Sequence, residues 1–335
     1  MENMTELTKR LGQLFIVGFP GAEPPRPFLN VLAEEQIGGV ILFEENCPTH
    51  GAAHDNIRLI REQFRGNAPF IAVDQEGGRV SRLRGAPAEF QAAAVYGRDN
   101  ALDRFKEDYR RSVVFMESLG INLNLAPVCD LYTDAGNTCL DERCFGSTPP
   151  EVIPFVETAV RVARSGGLLS CLKHFPGLGS AKNDPHDKTS VIEYDELLWE
   201  QRERRVFAAG VVQGADIIMT THVFLKGLDS RIATGSSIVV RDMLRGRLAF
   251  DGPVITDDLT MAGADVLGDI GPRTVAAFNA GHDLLLYGRD WEQAMRAYDY
   301  FVDACRRGDV KEERVHAALG RVSGVKFKLD SSVLP

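Results

Sequence analysis

Short apolar runs rich in Val, Ile, Leu and Phe alternate along the chain with longer stretches of mixed polar and apolar residues. Eight of these runs predict buried β-strands: Gln13–Gly18, Gly39–Phe43, Phe70–Asp74, Ile121–Ala126, Leu168–His174, Ile217–Thr221, Val254–Asp257 and Asp283–Tyr287. Nearly continuous apolar strands are typical of a parallel sheet that is covered on both faces. The pattern therefore predicts an α/β protein.

The amphipathic stretches between and after these runs predict helices. They include Ala53–Phe64, Ala101–Leu119, Pro150–Arg164, Asp195–Gln213, Ile270–Ala280, Trp291–Arg306 and Lys311–Gly320. Eight strands alternating with helices favour a closed (β/α)8 TIM-like barrel over an open sheet. A dinucleotide-binding sheet would carry a Gly-x-Gly-x-x-Gly turn after its first strand. This chain has Gly18-Phe19-Pro20-Gly21 at that point.

The organisation of the chain indicates one domain. The 335 residues contain no internal repeat, low-complexity tract or long linker, so we expect residues 1–335 to form a single barrel. The Pro-rich piece Pro24–Pro27 is short enough to be a barrel loop. The tail from about residue 325, after Gly324, is expected to be peripheral, as chain ends often are.

Composition and charge exclude several functional classes. The 44% of hydrophobic and 25% of charged residues are ordinary for a globular protein. A net charge of −9 argues against nucleic-acid binding, which needs a basic surface. The apolar run Leu14–Phe19 is too short for a signal peptide or a membrane helix, so we expect a soluble, cytoplasmic protein. Six cysteines without a Cys-x-x-Cys pair argue against disulfides and structural zinc.

Several predicted strands end in side chains that can perform chemistry. They are Asp74, Lys173-His174, Thr221-His222 and Asp257-Asp258. Barrel active sites lie at the carboxyl ends of the strands, where loops from distant parts of the chain meet. Burying a charged residue at the end of an apolar strand costs free energy unless the residue has a function or a partner. Their placement indicates an enzyme.

The acidic pair and the lysine each allow more than one role. One carboxylate of Asp257-Asp258 could attack an electrophilic carbon, both could cap the next helix, or both could hold a divalent metal. Lys173 could form a Schiff base if burial lowered its pKa, or could simply donate hydrogen bonds to substrate hydroxyls. The residues alone leave these alternatives open.

The loops after the third, fourth and fifth strands carry further polar candidates. Asp184 and His186 are two residues apart, so the carboxylate could orient the imidazole as a general acid/base, or Asp184 could form an Asx-turn. The loop Asp74–Arg82 and the residue Arg143 suit a polyhydroxylated ligand. The simpler alternatives are an internal ion pair and a surface charge.

The order of these motifs along the chain is more specific than any one of them. They are Gly38-Gly39-Val40-Ile41-Leu42-Phe43, Val73-Asp74-Gln75-Glu76-Gly77-Gly78-Arg79-Val80, Leu125-Ala126-Pro127-Val128-Cys129-Asp130, Lys173-His174-Phe175-Pro176-Gly177, Asp184-x-His186, Met219-x-x-His222 and Ile255-Thr256-Asp257-Asp258-Leu259-Thr260-Met261. From about Leu14 to Tyr287, the chain closely resembles glycoside hydrolase family 3. The resemblance is to single-domain bacterial β-N-acetylglucosaminidases that recycle peptidoglycan.

The resemblance implies a function and a set of site residues. It implies a retaining enzyme, without cofactor or metal, that removes terminal non-reducing N-acetylglucosamine from muropeptides through a glycosyl-aspartate. Asp257 matches the nucleophile, and His186 assisted by Asp184 matches the acid/base pair. The positions that match the sugar-gripping residues are Asp74, Arg82, Arg143, Lys173 and His174, with His222 near them.

One departure and several rival functions accompany the resemblance. The usual Lys-His-Phe-Pro-Gly-His-Gly run has Leu178 in place of its second histidine, which leaves the Asp184/His186 pair intact. An N-acetylglucosaminide phosphorylase and a β-glucosidase are alternatives within the family. A Schiff-base aldolase that uses Lys173 and a non-catalytic sugar-binding barrel are alternatives from other classes.

Overall fold

The strands of the computed structural model lie within its described residues, 7–64, 68–181 and 190–331. They are β1 Phe15–Val17, β2 Gly39–Leu42, β3 Phe70–Val73, β4 Leu123–Asn124, β5 Leu169–Phe175, β6 Ser190–Glu193, β7 Ile217–Thr220, β8 Val223–Lys226, β9 Val254–Ile255 and β10 Leu285–Tyr287. Eight of them pair in parallel in the order β10-β1-β2-β3-β4-β5-β7-β9. A parallel bridge between Ile255 and Leu284 joins the two ends. The predicted (β/α)8 barrel and all eight of its strands are confirmed.

Helices surround this barrel. They are α1 Arg26–Glu34, α2 His50–Arg61, α3 Ala93–Arg98, α4 Leu102–Leu119, α5 Pro149–Ser165, α6 Glu196–Gln201, α7 Glu203–Val212, α8 Ile270–Ala280, α9 Trp291–Arg307 and α10 Glu312–Ser331. A π-helix, Ile238–Arg247, precedes β9. Within the described ranges, no helix has both the length and the apolar character of a membrane span.

The core lies between strands and helices, because both faces of the strands are buried. Every residue of β2, β3 and β5 is buried, which explains the continuous apolar runs of β2 and β3. Aromatic side chains fill the space between β1, β10 and α9. The Phe15 ring stacks on Tyr287 at 5.7 Å and meets the edge of Tyr298 at 5.3 Å.

One expectation about the chain outside the strands was wrong, and another holds only in part. Pro24 and Pro25 lie in a loop, but α1 begins at Arg26 with Pro27 in its first turn, where a missing N–H costs nothing. The tail beyond Gly324 is not peripheral, because α10 continues to Ser331. Within it, Lys326 is buried and its ammonium donates to Gln13 Oε1 and to the Gly38 carbonyl, both at 2.8 Å. The tail therefore packs on the amino end of the barrel.

The segment after β5 also departs from the sequence prediction. The single helix predicted over Asp195–Gln213 is divided into α6 and α7 at Arg202, whose backbone leaves the helical region. Strands β6 and β8 were not predicted, and they pair in parallel as a separate two-stranded sheet. β8 begins directly after His222, so this small sheet lies beside the carboxyl end of the barrel.

A buried neutral histidine lies next to β10. His282 Nδ1 donates to the Ala277 carbonyl at 2.9 Å, and the Thr220 hydroxyl donates to His282 Nε2 at 2.8 Å. Both ring nitrogens are therefore satisfied without a charge. Burial lowers the pKa of His282 from 6.5 to about 3.

This histidine makes stability depend on pH. Between about pH 6.5 and pH 3 the unfolded chain carries a proton on His282 that the folded protein does not, so the free energy of unfolding falls as pH falls. The contribution is at most about 1.4 kcal/mol per pH unit. We expect the free energy of unfolding, measured with urea, to depend less steeply on pH in His282→Gln than in wild type between pH 6.5 and 4. His54→Gln, an exposed change on α2, should leave the slope unchanged. Equal slopes in wild type and His282→Gln would contradict the assignment.

Candidate active site

The carboxyl ends of the barrel strands bring together residues that are far apart in the sequence. Asp74 follows β3, Lys173 and His174 lie near the end of β5, and Asp257 follows β9. Lys173 pairs with Asp74 at 2.6 Å, and Asp257 lies at the same end of the barrel, two strands from β5 in the sheet order. These side chains therefore lie on the carboxyl rim of the barrel, where barrel active sites form.

Lys173 is the centre of a buried ion-pair network. Its Nζ lies 2.6 Å from Asp74 Oδ1 and 2.5 Å from Glu76 Oε1, and the lysine side chain is 3% exposed. Burial disfavours the ammonium ion, but Asp74 and Glu76 outweigh it and raise the pKa of Lys173. Within the described ranges these two carboxylates are the acceptors of Lys173, so the third N–H of the ammonium remains for a ligand. A Schiff-base lysine needs a lowered pKa, so the structure contradicts the condition on which the aldolase alternative depended.

Arg143 extends this network towards His174. Its guanidinium binds Glu76 in bidentate fashion, with Nε donating to Oε2 at 2.8 Å and Nη2 to Oε1 at 2.9 Å. Its Nη1 donates to the Cys139 carbonyl at 3.1 Å, whereas the contact of its Nη2 with His174 Nε2, at 3.4 Å, is long. This weaker contact of Nη2 is the one that a ligand oxygen can replace.

Asp130 fixes the orientation of His174. His174 Nδ1 donates to Asp130 Oδ2 at 2.6 Å, which leaves Nε2 as the acceptor that faces Arg143. The other carboxylate oxygen accepts from the backbone N–H of Leu178 at 2.6 Å, and the Leu178 carbonyl accepts from Asn137 at 2.9 Å. Because main-chain atoms hold this turn, it forms with a leucine where the family usually has a histidine.

Arg82 has donors that the described part of the protein leaves open. Its Nη2 lies 3.5 Å from Asp74 Oδ2, which is a loose contact. Its Nε is buried and has no hydrogen-bond partner among the described residues. The guanidinium lies over the Phe43 ring, 5.6 Å from its centre. A buried donor without an acceptor is costly, so a ligand oxygen beside Arg82 would relieve that cost.

The two neighbouring acids after β9 have different environments. Asp258 Oδ1 accepts from the backbone N–H and the hydroxyl of Thr260, at 2.9 and 2.8 Å, so Asp258 shapes the turn. Burial raises the pKa of Asp258. Asp257 is partly exposed, and its Oδ1 accepts from the Asp258 N–H at 2.8 Å. Its Oδ2 has no hydrogen-bond partner within the described ranges, which is what a nucleophilic carboxylate requires.

His222 follows β7 and is fully buried. Its Nε2 lies 3.0 Å from the Asp258 carbonyl and its Nδ1 lies 2.7 Å from the Thr234 hydroxyl. Burial lowers the pKa of His222, so the ring is neutral. His222 thus holds the backbone beside Asp257, and its contact with substrate stays a prediction.

The predicted acid/base pair, Asp184 and His186, lies outside the described residues. No group of three or more His, Cys, Asp or Glu side chains in the described ranges is arranged to hold a metal ion. The described residues thus offer an ion-pair network and one available carboxylate.

Sequence reasoning missed the contributions of Glu76 and Asp130. Both lie inside motifs that the sequence analysis quoted, and both are buried acids. Their roles come from partners that are distant in sequence, since Glu76 binds Arg143 and Asp130 binds His174. The one local indication was an acid two residues after Asp74 in a strand-end loop.

The chain matches known proteins over nearly its whole length. The sequence profile described as "Glycosyl hydrolase family 3 N terminal domain" matches residues 6–325. The chain belongs to glycosyl hydrolase family 3. It is therefore a glycoside hydrolase with a (β/α)8 barrel. A family 3 β-N-acetylglucosaminidase structure from Paenibacillus has a TM-score of 0.92 at 28% identity and aligns with 98% of this chain.

Other relatives of this chain carry different names and cover different shares of it. A "Beta-hexosaminidase" of Tolumonas auensis is 34% identical over 76% of this chain and 77% of its own length. An "Uncharacterized secreted glycosyl hydrolase" of Arthroderma benhamiae is 30% identical over 97% of this chain and 95% of its own length. A β-N-acetylhexosaminidase structure from Beutenbergia cavernae has a TM-score of 0.90, with 98% of that chain covered. This chain spans 64% of the Paenibacillus structure.

Proposed function

We propose that this glycoside hydrolase is a retaining exo-β-N-acetylglucosaminidase. The observation that carries the proposal is the open Oδ2 of Asp257 within the same barrel mouth as the Asp74–Lys173–Glu76–Arg143 network. A carboxylate that can attack the anomeric carbon, next to a cluster of sugar-binding charges, is the arrangement that retention requires. The names of the β-hexosaminidase and β-N-acetylglucosaminidase relatives support the choice of sugar.

The proposed reaction has two displacement steps. Asp257 Oδ2 attacks the anomeric carbon and forms a glycosyl-aspartate ester while the bond to the leaving oxygen breaks. His186, assisted by Asp184, gives that oxygen its proton. His186 then takes a proton from water, which attacks the same carbon and releases Asp257. Two inversions return the sugar with its original configuration.

The ion-pair network is proposed to hold the terminal sugar in this position. Asp74 accepts from sugar hydroxyls, and its neighbours donate to them. Burial opposes ionisation of Asp74, but Lys173 and Arg82 outweigh it and lower the pKa of the carboxyl. The carboxylate is therefore a permanent acceptor at neutral pH. Arg143 Nη2 and His174 Nε2, which are only weakly paired with each other, complete the set of sugar-binding groups.

The proposal includes a biological setting that follows from the family resemblance. The substrate is an N-acetylglucosamine-containing muropeptide, and the enzyme serves peptidoglycan recycling in the cytoplasm as one domain of residues 1–335. Cell fractionation and measurement of muropeptides in a strain that lacks the gene would test this. Unchanged muropeptide levels would contradict the setting but not the chemistry.

His186→Ala should slow glycosides in proportion to their need for a proton. We expect about a 10³-fold loss of kcat/KM with a poor leaving group such as methyl N-acetylglucosaminide. Nitrophenyl N-acetylglucosaminide needs little protonation, so its glycosylation step should slow less than 10-fold. Steady-state kinetics with both substrates measures the difference. Equal losses would contradict the acid role of His186.

Product analysis separates hydrolysis from transfer to phosphate. In phosphate buffer we expect wild-type enzyme to release free N-acetylglucosamine with retained β-configuration, as observed by NMR. Sugar 1-phosphate as the main product would identify a phosphorylase, and preference for glucosides would identify a β-glucosidase. Binding without turnover at any pH would identify a non-catalytic sugar-binding barrel.

A further inference from the structure

Glu76 is a buried acid at the centre of the network, and no step of the proposed reaction uses it. Its side chain is 4% exposed. Oε2 accepts from Arg143 Nε at 2.8 Å, and Oε1 accepts from Arg143 Nη2 at 2.9 Å and from Lys173 Nζ at 2.5 Å. In the described ranges it joins two cations from different parts of the barrel, the loop before α5 and strand β5.

The contacts of Glu76 leave it no direct role with substrate. Both carboxylate oxygens accept from charged donors inside the protein, and the side chain is nearly inaccessible, so Glu76 offers little surface to a sugar hydroxyl. Burial opposes its ionisation, but Arg143 and Lys173 outweigh burial and hold the pKa of Glu76 far below its usual range. A carboxyl group that stays ionised cannot give a proton at neutral pH. Glu76 therefore acts through its neighbours.

The two cations need this shared partner. Lys173 and Arg143 are both nearly buried, at 3% and 10% exposure, and their charges repel each other. Asp74 balances Lys173 but is not a hydrogen-bond partner of Arg143. Without Glu76, the Arg143 guanidinium would lose its bidentate contact. Among the described residues, this is the only contact that fixes the plane of the guanidinium by two parallel hydrogen bonds.

We propose that Glu76 is a positioning residue that aims Arg143 and Lys173 at the terminal sugar. Its carboxylate engages Nε and Nη2 of Arg143 and one N–H of Lys173, so within the described part of the protein the third N–H of Lys173 and the second N–H of Arg143 Nη2 remain for the ligand. The inference rests on the proposed function and deepens it, because it assigns to one buried acid the geometry of two sugar-binding cations. Donors fixed before the sugar arrives lose less entropy on binding.

Glu76→Gln tests this with a nearly isosteric change. We expect KM for nitrophenyl N-acetylglucosaminide to rise about 100-fold while kcat falls less than 10-fold, because the reacting groups are untouched. Glu89→Gln is the matched control, since Glu89 lies on the same loop and its pairing with Arg84 is exposed. We expect its kinetic constants to equal those of wild type. A KM for Glu76→Gln within threefold of wild type would overturn the proposal.

A pH series adds a readout that a purely structural role would not move. The groups that face Lys173 are Asp74, Glu76 and Arg143, and only Asp74 would remain as an acidic partner in Glu76→Gln. We therefore expect the binding of N-acetylglucosamine, a ligand without its own charge, to weaken at a lower alkaline pH in Glu76→Gln than in wild type. Its inhibition constant, determined across this pH range, measures the effect. The same alkaline dependence in both proteins would count against the proposal.

Glu76→Asp decides the outcome if Glu76→Gln does not fold. The shorter acid keeps the charge but cannot reach both cations, so we expect KM to rise about 10-fold without a new alkaline dependence. An unchanged KM in Glu76→Asp would overturn the proposal. An inactive wild-type protein would contradict the proposed function, and the inference with it. An active wild type with an unaffected Glu76 variant would contradict the inference alone.

Discussion

Asp257→Ala abolishes turnover of nitrophenyl N-acetylglucosaminide, with an expected loss of kcat on the order of 10⁵-fold. The reason is that Oδ2 of Asp257 is the open carboxylate oxygen in the described part of the barrel mouth, and the alanine offers no atom to bond the anomeric carbon. The substrate-binding network lies on other strands, so the variant should still bind N-acetylglucosamine. Stopped-assay kinetics and an inhibitor titration measure the two effects.

Asp251→Ala is the matched control for this change. Asp251 is exposed and lies before β9, whereas Asp257 lies after it. It should retain wild-type kinetics. Mass spectrometry after reaction with a slow 5-fluoro sugar adds direct evidence, because the labelled peptide should carry the sugar on Asp257. Full activity of Asp257→Ala, or a label on another side chain, would remove Asp257 as the nucleophile.

The barrel strands were predictable because their burial is uniform. A strand covered on both faces needs apolar residues at every position, and β2 and β3 read as such runs in the sequence. β6 and β8 were missed because they alternate between buried and exposed residues over only four positions each. Such short segments become strands only when a distant partner pairs with them, and the sequence does not reveal that pairing.

The helices show the same limit in another form. α1 was missed because prolines usually end helices, yet in the first turn they are compatible with one. The break at Arg202 has no proline or glycine to announce it. Buried side chains of α10 extend the last helix beyond the predicted Gly320, through contacts with Gln13 and Gly38 at the opposite end of the chain. Tertiary packing decides the length of α10.

The candidate site was predictable where strand ends marked it and not where distant partners defined it. Asp74, Lys173, His174 and Asp257 were placed by their position at the ends of buried strands, and the structure has them at the carboxyl ends of β3, β5 and β9. His222 followed the same rule, but both of its ring nitrogens bind protein atoms, the Thr234 hydroxyl and the Asp258 carbonyl. The difference between the two cases depends on hydrogen-bond partners 12 and 36 residues away.

Lys173→Met is expected to lose about 10³-fold in kcat/KM and about 3–5 kcal/mol in the free energy of unfolding. The ammonium pairs with Asp74 and Glu76, and its removal leaves two buried carboxylates without their shared cation. The pKa of Asp74, which Lys173 helps to keep low, should rise, so stability should fall further as pH rises and both acids ionise. Urea unfolding at pH 5 and pH 8 measures this.

The double variant Asp74→Asn/Lys173→Met separates stability from activity. It removes one negative charge together with the cation, so Arg143 alone can balance Glu76, and most of the lost unfolding free energy should return. Activity should not return, because the sugar would still lack the Lys173 donor and would lose the Asp74 acceptor. Recovery of both properties would mean that Lys173 serves only to neutralise its neighbours. Recovery of stability alone would identify it as a sugar-binding residue held ready by the two acids.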